Sequence, residues 1–269
     1  MYLNAERIAV ANKAVQETFE QTSIAWQAIP HWDTGDPGQF RVRSDNAYAP
    51  PEPTDDVLAP PIAPGDSLKL DPVSVRFALT VAQAIAPTPD AILAAVIART
   101  VQLAGKVDCT VIEKLLGDAQ GNITTAWDIP TLLPALIDAR ADLEKSGYRS
   151  PSCLLTDTTG LKALNALQDG LPVYQPVLDA ANINSLYRFD EFDGQNKGRM
   201  LLLGRRQRVA HGGAASMSPG EEPVDLAVSV PPSLEVVGET DKGYIELAVR
   251  IRFATRVADK YGVVGVDQS

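Results

Sequence analysis

The sequence predicts an α+β fold, and three observations carry that prediction. Apolar residues recur at helical spacing over much of the first two thirds, and strand-like segments crowd the last third. Between residues 30 and 72 lies a stretch that is neither, with nine prolines: Pro30, Pro37, Pro50, Pro51, Pro53, Pro60, Pro61, Pro64 and Pro72. Proline fixes φ and has no N–H to donate, so no helix or central strand runs through it.

Taken in order, residues 1–19 predict an amphipathic helix, with Ile8, Ala11, Val15, Thr18 and Phe19 on one face. Two short strand-like pieces, 40–43 and 67–70, flank the most proline-rich part. Trp32, Phe40 and Tyr48 are unusual for a solvated tether, so this stretch reads as an extended two-legged arm. At about 3.3 Å per residue, a leg of about twenty residues reaches on the order of 60 Å. Residues 73–79 alternate as a strand. Thr88 and Pro89 open a helix to about residue 104 whose apolar residues circle most of its girdle, predicting deep packing. Gly105 is expected to interrupt it before a further helical turn or two ending at Gly117.

Pro130 and Pro134 are tolerable only near the start of the next helix, where Leu132, Leu133, Leu136, Ile137, Arg140 and Leu143 keep 3.6-residue spacing and Gly147 supplies the stop. A strand over 152–155 follows. Asp157 then caps a third helix, 158–167, stopped at Gly170. Strands are expected at 185–192, 199–203, 207–211, 226–230 and 234–237. The clearest comes last: Ile245, Leu247, Val249, Ile251, Phe253 and Val257 alternate with Glu246, Arg250, Arg252 and Arg256. One face of that strand covers helices and the Arg-rich face meets solvent or a partner.

Composition narrows the function. The chain has 269 residues, 24 Lys+Arg against 34 Asp+Glu, a net charge of −10, 45% hydrophobic and 22% charged residues. That is an ordinary globular balance, long enough for sizeable cores. Its acidity argues against a protein that coats a duplex, because such affinity comes from Lys and Arg neutralising phosphates. Two Cys and two His (His31, His211) exclude a multi-ligand zinc or iron–sulfur site built on them, and imply a reduced compartment. The N-terminal segment carries Glu6, Arg7, Lys13 and Glu17 where a signal peptide needs an apolar run. The most hydrophobic stretch, 91–104, falls short of the roughly 20 residues a spanning helix needs and contains Arg99.

No motif points to chemistry. His211 lies beside Gly212 and Gly213 with Ser216 and Ser218 nearby, but no nucleophile elbow accompanies them, so a loop histidine is favoured over a catalytic base. His31 reads as a turn residue or interface contact. Cys109 and Cys153 have no basic neighbour in sequence and read as core thiols. Arg205, Arg206 and Arg208 beside Gly204 are a candidate anion or axis contact, against which stands a charged strand edge. The acid groups Asp190/Glu191/Asp193 and Glu221/Glu222 read as solvated turns.

Taken in order, these elements resemble one family. An N-terminal helix, an extended arm, the strand 73–79 and a long apolar helix lead into Val-Asp-Cys-Thr-Val-Ile-Glu-Lys-Leu-Leu-Gly at 107–117, similar to the close of that family's spine helix. Asp128-Ile129-Pro130 then opens a helix ending in Gly147-Tyr148, a strand and helix follow, and the chain closes on the long strand and a valine-rich tail. The chain resembles shell proteins of the Hong Kong 97-type capsid fold: major capsid proteins of tailed bacteriophages and the related encapsulins.

The resemblance implies a division into an N-terminal helix and arm (1–32), an E-loop (33–72) lying over a neighbouring subunit, a P-domain (73–175 and 224–269) and an A-domain (176–223). It implies self-assembly into pentamers and hexamers of an icosahedral virion shell, made in the host cytoplasm. The shell would enclose double-stranded DNA without sequence specificity, with a separate scaffold or none, with portal and decoration proteins as candidate partners, and with no membrane. No enzyme activity and no cofactor are implied. Trp32, Phe40, Tyr48, Lys69, Arg250 and Arg252 become the expected intersubunit contacts. The arm's only lysine is Lys69, near its base, which implies non-covalent assembly. An encapsulin enclosing protein cargo, with its N-terminal helix helping to dock a cargo peptide, and a soluble hydrolase using His211 stand as alternatives.

Overall fold

A computed structural model describes residues 3–44, 46–47, 62–63, 67–119, 121–189, 198–218, 220–240 and 242–269. Helix α1 (Ala5–Thr22) starts where the Asn4 side chain accepts the Arg7 N–H, and buries Ala11, Val15 and Phe19 on the face its spacing predicts. A short helix α2 (Ile24–Ala28) leads to strand β1 (His31–Asp33). The arm begins with β2 (Arg41–Arg43) and β3 (Asn46–Ala47) and returns through β4 (Ile62–Ala63) and β5 (Ser67–Lys69). The two outgoing strands pair antiparallel with the two returning ones, β2 with β5 and β3 with β4. The two-legged arm is present as far as it is described; Tyr48 and most of its prolines lie outside the described residues.

Strand β6 (Asp71–Thr80) and a short helix α3 (Val81–Ile85), opened by a Thr80–Gln83 capping box, precede the central helix α4 (Asp90–Asp118). Here the structure departs from expectation. Gly105 interrupts nothing: α4 is one continuous helix of 29 residues. An interior glycine costs about 1 kcal/mol against alanine, less than burial of Leu103, Ala104, Val107 and Val111 around it returns. Nor is its girdle buried all round, since Ile97 and Val101 remain 44% and 45% exposed.

After β7 (Asn122–Thr125) comes α5 (Ile129–Lys145), capped by Asp128 with Pro130 in the first turn, and ended at Gly147, whose φ of +91° is a left-handed stop. Strand β8 (Ser150–Thr156) leads to α6 (Thr158–Leu164), whose N-terminus is capped by the Asp157 carboxylate accepting the Gly160 N–H at 2.6 Å. The helix ends three residues early. Leu167 onward forms a hairpin of β9 (Leu167–Gln168) and β10 (Leu171–Pro172) that turns through Asp169 and Gly170, both at positive φ. Helix α7 (Tyr174–Ala180) follows, then β11 (Ile183–Arg188) and β12 (Arg199–Arg205).

The strand expected at 207–211 is a turn region, because these residues leave the sheet at Arg205. The two strands expected at 226–230 and 234–237 are one, β13 (Val224–Glu239), which crosses Pro231 and Pro232 through register shifts against β14 (Tyr244–Val257). Bulges are where a strand tolerates proline. The valine-rich tail is a further strand, β15 (Val263–Gln268).

These elements form two main sheets. The first has the order β1-β13-β14-β6, the second β11-β8-β12-β15-β7. Helices α1 and α4 fill the space against the first sheet with Val15, Phe19, Val96, Val107, Val111, Leu226, Leu247 and Val249. Cys153, Leu155, Leu201 and Leu203 join that core from the second sheet, while their neighbours Leu154, Met200 and Leu202 face a second core with α5, α6 and α7. Strand β8 is thus buried on both faces, which is why Cys153, Leu154 and Leu155 follow one another without polar alternation. Strand β8 lies between β11 and β12, so the expected boundary at residues 175/176 does not coincide with a change of sheet.

Tight glycines lock the corner where the cores meet. A Cβ on Gly262 would lie 2.2 Å from Pro223 Cβ and 2.9 Å from Tyr148 Cζ. Tyr148 is buried there, and its hydroxyl donates to Asp259 at 2.7 Å.

Candidate assembly surfaces

Two of the residues expected at intersubunit contacts, Trp32 and Arg252, are engaged at the root of the arm. Trp32 on β1 donates its indole N–H to Asp225 Oδ1 at 3.0 Å. Opposite Asp225 across the β13–β14 ladder sits Arg256, which grips the same carboxylate with two bonds of 2.7 and 2.6 Å and lays its guanidinium 4.8 Å over the Trp32 ring. Its remaining nitrogen donates to the Arg43 carbonyl of the arm at 3.2 Å. The Asp225 side chain is fully buried. A buried bidentate pair of this kind fixes orientation as well as adding energy.

Around that clamp, Val42, Leu68 and Leu70 of the arm pack with Trp32 on Ala227 and Ala254. Arg252 donates to the Pro37 carbonyl at 3.4 Å, and Arg250 pairs with Glu235 at 2.9 Å. The Arg-rich face of β14 is therefore covered in part by the chain's own arm root, which corrects the expectation that it meets only solvent or a partner. Of the expected contact residues, Trp32 and Arg252 are engaged within the subunit. Lys69 forms an exposed pair with Asp71 at 3.0 Å. Phe40 stays 65% exposed, and Tyr48 lies outside the described residues. Among the described residues the buried Nε of Arg250 has no hydrogen-bond partner.

The three clustered arginines do not share a surface. Arg205 is buried, donates to the Ala28 carbonyl, and lies beside the buried Glu222. Arg206 and Arg208 are exposed, with the Arg206 guanidinium 5.2 Å from the Tyr148 ring centre. The reading of Glu222 as a solvated turn acid is likewise corrected: at 2% exposure its oxygens accept the Arg206 N–H at 3.3 and 3.4 Å. Burial pushes the Glu222 carboxyl above the usual range, against the pull of Arg205. With the folded value raised, the native state holds the proton more tightly than the unfolded chain, so stability falls as pH rises through that window. Glu222→Gln removes this titration. Urea denaturation of both proteins between about pH 4 and pH 7 is expected to show the variant gaining on the parent as pH rises; parallel curves contradict the assignment.

His211 is exposed and stacks on the Tyr187 ring at 4.3 Å, while the Tyr187 hydroxyl accepts the Gly212 N–H at 2.6 Å. The Ser216 side chain and the acids Asp190, Glu191 and Asp193 lie outside the described residues. His31 is a strand residue rather than part of a turn; it stacks on Trp26 at 3.7 Å, and burial lowers its pKa. Burial also raises the Cys153 thiol pKa. Among the described residues no cluster of His, Cys, Asp and Glu has the makings of a metal site, and no helix is long and apolar enough to cross a membrane.

Sequence reasoning missed Asp225, Asp108 and the hairpin. The first two are acids in otherwise apolar runs, where a charge signals a buried partner. The hairpin is written as Asp169-Gly170 between two leucines, a strong short-range turn signal.

No family model and no curated protein matches this sequence. Solved structures do. A virus-like particle protein from Pyrococcus furiosus is 14% identical over 97% of this chain and 100% of its own, with a TM-score of 0.67. The SrpI encapsulin from Synechococcus elongatus is 11% identical over 91% of this chain and 88% of its own, TM-score 0.57. The bacteriophage PhiM1 mature capsid protein is 9% identical over 92% of this chain and 87% of its own, TM-score 0.57. The chain has the Hong Kong 97-type capsid fold.

Proposed function

We propose that this chain is the repeating subunit of an icosahedral shell, the major capsid protein of a tailed bacteriophage. The observation that carries the reading is an arm held rigidly at its root by Trp32, Asp225 and Arg256 and leaving a subunit whose two cores are complete without it. Between residues 48 and 61 the sequence has only Tyr48, Val57 and Leu58 as large apolar residues, too few to build a core of its own. A second copy supplies the surface. The part of the outer face of the first sheet that the described residues leave uncovered, around Arg76, Glu246 and Arg250, is the proposed seat for a neighbour's arm. Repeating that contact around a closed assembly multiplies a modest energy into a stable shell.

In this reading the first sheet with α1 and α4 forms one unit and the second sheet with α5, α6 and α7 the other. The role is structural, the location is the virion, and the lumen holds double-stranded DNA, with scaffold, portal and decoration proteins as separate chains. Likeness to an encapsulin sustains a second reading. Helices α1 and α2 are folded against α4 and leave Val10 exposed, a place for a cargo peptide in a cellular shell. Contents decide between them. Particles purified after nuclease treatment are expected to release protected DNA when the chain is expressed with its phage; a stoichiometric protein cargo and no DNA selects the encapsulin reading.

A further inference from the structure

The hairpin β9–β10 stands apart from both cores. Its four strand residues are all exposed, with Leu167 at 65% and Leu171 at 67%. In its register Leu167 lies opposite Pro172 and Gln168 opposite Leu171. Residues directly opposite share a face and neighbours alternate, so the two leucines point to opposite faces. Neither face is covered by the described residues of the subunit. The hairpin is nonetheless firmly placed: Leu164 of α6 and Val177 and Leu178 of α7, on either side of it, are buried in the second core.

We propose that this hairpin is a two-sided contact between copies of the chain, in which Leu167 of one copy packs against Leu171 of the next around a ring. The inference rests on the shell reading and deepens it. A twofold contact uses one patch on both partners and would leave the other face of each hairpin bare. A head-to-tail contact uses two different patches of one copy, and the hairpin carries one leucine for each. Charge supports the same occupant. From residue 163 to 178 only Asp169 is charged, in a chain that is 22% charged overall. Depletion of charge marks the core of an interface, and here it spares a chain of net charge −10 the repulsion between like copies.

Cysteine crosslinking tests the contact in assembled particles. The double variant Leu167→Cys/Leu171→Cys, oxidised and run on a denaturing gel without reductant, is expected to give a ladder from dimer to the closed ring. Bridging within one copy is blocked because the two positions face apart. Either single variant, and the parent with Cys109 and Cys153 alone, is expected to stay monomeric. Leu171→Glu is expected to lower the assembled fraction at least about tenfold with the melting temperature of the subunit unchanged. Particles that form with no ladder overturn the hairpin contact alone. Dimers from a single variant, or a crosslink to a different protein, overturn it as well. A parent chain that never assembles overturns both this contact and the shell reading.

Discussion

Replacing Asp108 with alanine is expected to remove about 3–5 kcal/mol of subunit stability, out of a total of about 5–15 kcal/mol for a typical domain. The Asp108 carboxylate is buried in the face of α4 that meets the N-terminal helices. It accepts the Ser23 hydroxyl at 2.6 Å, the Ile24 N–H at 2.9 Å and the Ala25 N–H at 2.9 Å. All three donors belong to the start of α2, where free N–H groups and the helix dipole favour a negative charge. Alanine would strand them in a dry site, and each orphaned donor costs about 1–3 kcal/mol. Asp108→Asn keeps one oxygen acceptor and is expected to lose less. Urea denaturation checks this through a fall in midpoint at constant slope. A loss below about 1 kcal/mol for the alanine variant would mean that the carboxylate does not hold α2 in place.

Closing the arm short is expected to leave the subunit intact and abolish assembly. Strands β3 and β4 pair Asn46 with Ala63 and Ala47 with Ile62, so replacing residues 48–61 by Asn-Gly joins them through a two-residue hairpin turn. The clamp of Trp32, Asp225 and Arg256 and the packing of Val42 and Leu70 remain. Stability is therefore expected to stay within about 1 kcal/mol of the parent, as for surface changes generally. The protein concentration needed for assembly is expected to rise at least about a hundredfold, equivalent to about 2.7 kcal/mol per subunit. Unfolding of the shortened chain would show instead that the arm belongs to the core.

Much of the fold is legible in the sequence because burial imposes a period. Helices α1, α4 and α5 and strands β6 and β14 each pack one face on a core, so their apolar residues keep the spacing of that face. Gly105 and the pair Pro231-Pro232 misled, since local preferences there yield to packing in α4 and to bulges in β13. Strands β7 and β15 are short and sit in the second sheet through long-range pairing, β15 with β12 and β7 with β15, which no local pattern announces. The surfaces are harder to read. Trp32 and the arginines of β14 stand out by type, but which face of the sheet they occupy, and that Asp225 ties them together, follows from the β13–β14 register. Arg205 shows the converse, a charge that looks like surface in the sequence and lies buried beside Glu222.

Sedimentation velocity of the purified full-length chain, with electron microscopy of any fast-sedimenting fraction, tests the shell reading most directly. Closed particles of uniform size, lost in the variant with the shortened arm, are the expected result. A monomer at every protein and salt concentration tried, with the subunit folded, would contradict it.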